Sequence, residues 1–307
     1  MSFFTLITTV MKKTFLIILT LIISTVANAE VKEKALNKVS KKISSTIGRL
    51  IPGEGITETS VELKDNDGGR GDIQFSILGV RDILSKEKSN LFTQFSLHTQ
   101  EINNDLRYVG NLGLGYRALS NDKSLMFGAN AFVDQDLSED HQRVSLGLEA
   151  KAKHIDLSYN QYFKSTNQKI ISGTKEQALS GKEYNVSSQV PYLPWSTFNL
   201  QGYNWENEVA VNNTKGYIYS LENLITPSLY FNIEIDRSSV NGTRDIKNYE
   251  LVFVHPPRED NKPSLSEQAI SKEKFVKRNM ENNLKDKVRR NNNLVVEIQG
   301  SVTFTSK

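Results

Sequence analysis

Cysteine is absent from this 307-residue chain, so no disulfide holds it together. Long apolar runs are missing too. Beyond the N-terminus nothing approaches the ~18 consecutive apolar residues of a membrane-spanning helix. Charge of one sign is missing as well: the formal net charge is +3, too small for the basic field that draws a protein to nucleic acid. Chemistry-bearing motifs are equally scarce. The four histidines (His98, His141, His154 and His255) lack metal-ligand spacing, and neither H-E-x-x-H nor G-x-S-x-G occurs. No catalytic residue, cofactor site or metal site is expected.

What is present is alternation. In 106–118, Tyr108, Leu112, Leu114 and Tyr116 share one face. Arg107, Val109, Asn111, Gly113, Gly115 and Arg117 share the other. A period of two means a strand whose faces meet different solvents. The same dyad sets Leu125, Phe127, Ala129, Ala131 and Val133 together in 123–135. In 141–152, Val144, Leu146, Leu148 and Ala150 oppose Arg143, Ser145, Gly147, Glu149 and Lys151. In 228–238, Leu229, Phe231, Ile233 and Ile235 oppose Asn232, Glu234 and Asp236. Charge on the second face is costly in a dry core and natural in a wet lumen. Twelve such segments fall near 57–64, 71–81, 90–99, 106–118, 123–135, 141–152, 153–164, 182–190, 196–206, 214–224, 228–238 and 246–254.

An even strand number with alternating short and long links fits a twelve-stranded antiparallel outer-membrane β-barrel spanning 57–255. Arg107, Arg117, Arg143, Glu149, Lys151, Glu234 and Asp236 are expected to line its lumen. Tyr108, Tyr116, Tyr159 and Phe163 are expected in the aromatic girdle. The link 82–90 is longer than the barrel rule expects. A soluble β-sandwich also alternates, but would put polar residues where this chain repeats aromatics and leucines.

The flanks read differently. Lys12 and Lys13, the apolar run 15–23 and Ala27-Asn28-Ala29 form a secretory signal ending at residue 29, with Met11 as its natural start and 1–10 a candidate start-site artefact. Residues 30–56 are a short helix or linker, with Leu36, Val39, Ile43, Ile47 and Leu50 at helical spacing; the resemblance given below implies that it is periplasmic. Pro256 and Pro257 end the last strand. Residues 265–290 are polar and helix-forming, which predicts a linker helix within 256–293. Residues 294–304 read as a strand with no partner left in the chain, the stub of a passenger or linker in 294–307.

Two local features invite chemistry. Asp134, Asp136, Glu139, Asp140 and His141 could activate water or hold a divalent cation; the preferred reading is a solvated acidic turn. Gly69-Arg70-Gly71-Asp72 contains an adhesion-type tripeptide, preferably read as glycines turning into a strand.

The stretches "NLGLGYR" (111–117), "MFGANAFVDQDLSEDHQRVSLGLEAK" (126–151), "IDLSYNQYF" (155–163), "VPYLPW" (190–195), "LITPSLYFNIEIDRS" (224–238) and "VRRNNNLVVEIQ" (288–299) resemble, in order, the translocator barrel of the intimin/invasin family, the inverse autotransporters. The resemblance implies a Gram-negative outer-membrane barrel with a periplasmic N-terminus and no enzymatic activity. It implies that the segment after the last strand re-enters the lumen and threads a C-terminal segment or passenger to the surface. Implied partners are outer-membrane lipid, periplasmic chaperones, the outer-membrane assembly machinery, and a passenger or host-surface receptor. Two departures stand out: 30–56 is too short for the periplasmic peptidoglycan-binding module of many relatives, and the sequence given ends at Lys307, where a passenger would begin. The competing functions are a surface adhesin acting through extracellular loops, chiefly 165–181, and a porin-like channel.

Overall fold

The structure, a computed structural model, describes residues 29–48, 51–65, 72–239, 245–258, 262–298 and 301–303. A helix, α1 (Ala29–Gly48), precedes sixteen strands. They are β1 (Gly55–Asp65), β2 (Asp72–Lys86), β3 (Ser89–Ile102), β4 (Asp105–Leu119), β5 (Leu125–Asp136), β6 (Gln142–Ala152), β7 (Ile155–Lys164), β8 (Lys169–Ile171), β9 (Thr174–Ala178), β10 (Gly181–Val190), β11 (Leu193–Trp205), β12 (Thr214–Thr226), β13 (Leu229–Ser238), β14 (Ile246–His255), β15 (Val296–Ile298) and β16 (Ser301–Thr303).

Twelve of them, β1–β7 and β10–β14, form one closed antiparallel ring. Pairing of β1 with β14 from Thr57↔His255 to Asp65↔Lys247 completes it. Closure leaves no unpaired strand edge, the condition for a sheet to stand in lipid. The alternation does what the sequence predicts. Leu112 and Leu148 are each 62 % exposed on the outward face, while their neighbours Asn111 and Glu149 are buried inside. Tyr108, Tyr116, Tyr159 and Phe163 all point outward and are exposed.

One arc of the outward face is covered. Val61, Phe75, Leu229, Leu251 and Phe253 form a buried apolar cluster, with Ile43 of α1 packed against it. The helix docks by hydrogen bonds from Ser40 to Thr226 and from Ser44 to the Val254 carbonyl. Its last residue has to be small, because any Cβ on Gly48 would overlap the His255 ring.

The links differ from expectation in two places. Strand β2 runs on to Lys86 through an irregularity between Asp82 and Leu84, so the 82–90 link shrinks to Glu87 and Lys88 and the turns at that end of the barrel are uniformly short. At the opposite end the β3–β4 link, expected to be long, is only Asn103 and Asn104. Both have positive φ, at 54° and 64°, the geometry of a two-residue hairpin turn that asparagine tolerates.

Loop 165–181, expected to be a free surface loop, holds the hairpin β8–β9. This hairpin joins β15 and β16 in a separate four-stranded sheet, ordered β16-β15-β9-β8. The segment 294–304 therefore has a partner in the chain: Val296, Glu297 and Ile298 pair with Ala178, Gln177 and Glu176. Whole-chain strand counting could not show this, because β8 and β9 are too short to alternate visibly.

Candidate functional site

The lumen wall is assembled from inward-facing residues in a repeated arrangement. On β4, Gly113 lies directly opposite Phe132 and Gly115 opposite Phe92. Each phenyl ring lies over its glycine in the space a Cβ would need. The rings carry guanidinium groups: Arg117 lies 4.4 Å over Phe92, and Arg290 lies 4.3 Å over Phe132. Arg143 stacks at 4.2 Å on Tyr162. The glycines of the "NLGLGYR" stretch thus make room for aromatic platforms that hold cations in a confined interior.

The C-terminal segment occupies this interior. From His255 it first follows the rim at the end of the short turns. Arg258 donates to the Pro227 carbonyl at 2.7 Å, Leu265 to Leu224 at 2.9 Å, and Ser271 to Tyr192 at 2.8 Å. Arg278 donates to the Ala152 carbonyl at 3.1 Å and pairs with Asp156. Lys123 pairs with Glu281 and, at 3.0 Å, with Glu87. Hydrogen bonds from Lys123 to Glu281 and Glu87 raise that amine above the ordinary lysine range. In the same turn, hydrogen bonds from Ser120 and Ser124 hold the Asp122 carboxyl down at about 2.

The segment then climbs. Asn90, Gln94 and Gln100 of β3 bond Leu284, Val288 and Leu294, each pair 194 residues apart in sequence. A constant offset means that the segment rises beside β3 in the same direction and at the same pitch, about 3.3 Å per residue. A helix rising ~1.5 Å per residue could not keep that register. The linker helix predicted for 265–290 is accordingly absent from the described residues, which hold one 3-10 turn, Asn282–Lys285. The cause is the wall and the rim. Rim residues bond the backbone of Leu265, Ser271 and Lys274, Asn90 donates to the Leu284 carbonyl at 3.2 Å, Gln94 accepts from Val288 N–H at 2.7 Å, and Asn160 donates to the Arg289 carbonyl at 3.0 Å. The same continues beyond 290. Gln100 brackets the Leu294 peptide, accepting from its N–H at 2.9 Å and donating to its carbonyl at 2.7 Å. Arg143 donates to the carbonyls of Asn291 and Asn293 at 3.0 Å each, and Asn111 to that of Asn292 at 3.0 Å. Side chains of the barrel satisfy the backbone groups that a helix would satisfy internally.

The residues expected to line the lumen divide by role. Arg117 donates to the carbonyls of Leu284, at 3.2 Å, and Asp286, and pairs with Glu149 at 2.6 Å. Lys151 pairs with Asp286 at 3.0 Å. Arg143 shares Asp134 with Arg290, at 2.8 and 2.7 Å. Arg107 reaches the exit hairpin rather than the threaded segment, bonding Glu176 at 2.8 Å and Asp136 at 3.2 Å. Glu234 and Asp236 bond wall residues instead, Asn248 at 3.0 Å and Tyr203 at 2.9 Å.

The acidic turn is not uniformly solvated, as the preferred reading had it. Asp134, Asp136 and His141 are buried. His141 Nε2 lies 3.2 Å from Glu176. The carboxylates serve arginines, and among the described residues no cluster has the makings of a metal site. The Gly69-Arg70-Gly71 part of the tripeptide stretch lies outside the described residues. Sequence reading gave Asp134 another role and missed Glu176, Arg290, Glu183, which accepts from Asn291 N–H at 2.9 Å, and Arg289, which pairs with Glu222 at 2.6 Å. Asp134 was findable: its parity on β5 sets it facing the lumen directly opposite Arg143.

The segment does not fill the lumen completely. A cavity of about 220 Å³ remains beside it, lined by Glu62, Asn185, Ser187, Asn199, Glu234 and Glu250, among others, and reaching Glu149 and Ser158 on β6 and β7. Asn185 Nδ2, Ser187 Oγ and Asn199 Oδ1 are buried with no hydrogen-bond partner among the described residues. Such a polar, roomy site is one that water fills. Above it Tyr162, Leu179, Tyr203, Trp205, Ile218 and Val295 form an apolar cluster.

The family described as "Inverse autotransporter, beta-domain" matches residues 20–292. The chain belongs to this family. It is 28 % identical over 221 residues to the inverse autotransporter adhesin YeeJ of Escherichia coli (strain K12), covering 68 % of this chain and 9 % of that protein. It is 24 % identical over 281 residues to an intimin of Escherichia coli O111:H-, covering 87 % of this chain and 28 % of that protein. The chain spans about a third or less of the length of the curated relatives it matches. Among solved structures, one described as "Unveiling the Mechanism Behind the in-meso Crystallization of Membrane Proteins" has the same fold, with a TM-score of 0.62 at 20 % identity, over 79 % of this chain and 99 % of that one. This inverse autotransporter β-domain is a protein of the Gram-negative outer membrane.

Proposed function

We propose that this inverse autotransporter β-domain anchors and threads a C-terminal segment to the cell surface. The supporting observation is continuity. The segment leaves β14 at the end of the short turns, rises through the lumen and pairs with β9 at the end of the longer loops. No chemistry is required of it. The wall supplies polar partners, and closure of the ring keeps lipid out. On this reading outer-membrane lipid meets the leucine-rich outward face, chaperones and the assembly machinery deliver the chain, and a passenger or its receptor lies outside. Adhesion through loop 165–181 has less support, because β9 in that loop is engaged by β15. A plain porin has less support, because the segment fills much of the lumen.

The test is an epitope fused after Lys307 and expressed in intact cells. The tag is expected to be reached by antibody and cut by added protease without permeabilisation. A tag accessible only after the envelope is opened would overturn the reading.

A further inference from the structure

The exit of the threaded segment is held from two sides, and one of them is a carboxylate-binding site. Loop 206–213, between β11 and β12, turns three successive backbone N–H groups toward Glu297. Glu208 N–H lies 2.8 Å from its carboxylate, Val209 N–H 3.1 and 3.2 Å from its two oxygens, and Ala210 N–H 2.8 Å. Glu297 is buried, with 2 % of its surface exposed. Consecutive amides converging on one anion make a nest, a preformed partial positive charge that needs no basic side chain. The loop is held in shape independently of its occupant. Asn207 donates to the Asn212 carbonyl at 2.7 Å and bonds Thr214 at 2.9 Å; Glu206 N–H donates to Ser180 at 2.9 Å; Glu208 pairs with Lys164.

The second side is β9, which takes β15 by strand addition. Strand addition alone fixes register poorly, since backbone bonds form equally well two residues on. Within the segment the apolar positions repeat. Leu294, Val296 and Ile298 all share one cluster with Ile102, Val109 and Ala178, so a slip by two exchanges apolar side chains at two of the three positions and brings Asn292 or Gly300 to the third. Glu297 faces the other way. It is the one acidic residue in the stretch 287–307.

We propose that the loop 206–213 nest is a recognition site for a side-chain carboxylate on the emerging strand, and that Glu297 in it locks the register of β15 on β9 where the segment leaves the hold of the wall at Leu294. The inference rests on the translocator reading and deepens it: the barrel reads its cargo-proximal linker at one acidic position. The ligand class is an extended peptide whose acid is flanked by β-branched apolar residues, here Val296-Glu297-Ile298. A glutamine at that position offers one acceptor oxygen and turns an NH2 group toward the remaining donors, so the charge-assisted part of the recognition is lost.

The experiment is disulfide trapping in the full chain, purified in detergent. Two double-cysteine proteins are compared, Ala178→Cys with Val296→Cys and Ala178→Cys with Ile298→Cys. Ala178 and Val296 are direct cross-strand partners. In the wild-type background the 178–296 crosslink is expected to dominate. In Glu297→Gln its excess over 178–298 is expected to fall about tenfold, for a loss of roughly the size of one charge-assisted hydrogen bond. Glu297→Asp, which keeps the charge, is expected to retain most of the preference. Folding is checked in each variant by the heat-modifiable mobility of the barrel on a gel. An unchanged crosslink ratio in a folded Glu297→Gln protein would overturn the proposal while leaving the translocator intact. So would a loss in Glu297→Asp equal to that in Glu297→Gln. Absence of both crosslinks in the wild-type background would instead sink the threading reading on which the proposal stands.

Discussion

Asp134 shows how the lumen holds its charges. Two arginines from different parts of the chain converge on it, Arg143 from β6 and Arg290 from the threaded segment, and none of the three side chains is exposed to solvent. Taking out the shared carboxylate leaves two buried guanidiniums without their counter-charge. Asp134→Asn is therefore expected to cost about 3–5 kcal/mol, the range for breaking a buried ion pair from one side. Arg290→Met leaves the Arg143–Asp134 pair standing and strands no charge; it forfeits the Arg290 bonds to Asp134 and Ser145 and the stacking on Phe132, at about 1–3 kcal/mol. Denaturant midpoints of the refolded barrel should rank the two in that order; a reversed order would show that the stacking, not the charge balance, holds the segment. A second residue reports on the rim. His154 stacks on Phe275 of the C-terminal segment, ring centroids 5.3 Å apart. Burial, and then the nearby Lys262, Arg278, Lys277 and Lys153, lower its pKa below the usual imidazole value. The folded state binds a proton there less readily than the unfolded chain. The contribution is thus fully present above pH ~6.5 and is lost as the pH falls below it toward the lowered folded pKa. Hydrogen exchange of 272–278, corrected for the intrinsic rate, is expected to quicken between pH 7.5 and 5.5 in the wild type and not in His154→Phe. Equal pH dependence in both would remove His154 as the cause.

At the scale of elements, what was legible is what has two solvents. The twelve ring strands declare themselves because each carries lipid on one side and polar groups on the other. Their dyads name the inward arginines residue by residue. The short hairpin β8–β9 has no such contrast. The segment 265–290 differs from its helix propensity because propensity describes a chain that must satisfy its own backbone, and here Asn90, Arg117, Gln94 and Asn160 do so from the wall. The outward face is a matter of depth as well as parity. Leu148 sits mid-strand in β6, opposite Ala129 and Tyr159, whereas Ile155 opens β7 beside the short β6–β7 turn. Both are exposed outward. Leu148→Arg is expected to cost about 2–4 kcal/mol in lipid and Ile155→Arg about 0–1 kcal/mol. Reversible unfolding in vesicles measures both, and equal penalties would mean that β6 does not sit at the bilayer midplane.

At the scale of the whole molecule, sequence gives neighbours around the ring but not what fills it. The contacts that settle the filling join residues 194 apart, and neither partner alone signals the other. Ring and segment are separable in principle, since pairing of β1 with β14 uses no residue beyond 255. Deleting 256–307 should therefore leave a closed barrel that still shows heat-modifiable mobility. Its interior would then present Arg117, Arg143, Glu149 and Lys151 to water, groups whose hydration cost in an open pore is small compared with their cost in a dry core. The expected result in planar bilayers is a stable conductance several times that of the full chain, in which the segment leaves only the partial cavity beside it. Arg117→Gln and Arg143→Gln should then change the selectivity of the truncated pore and barely affect that of the full chain, where the same side chains are engaged by the segment. Equal conductance for the two forms would mean that the lumen is not held by residues 256–298 in the membrane, and that the hydrogen bonds along β3 are not what closes it.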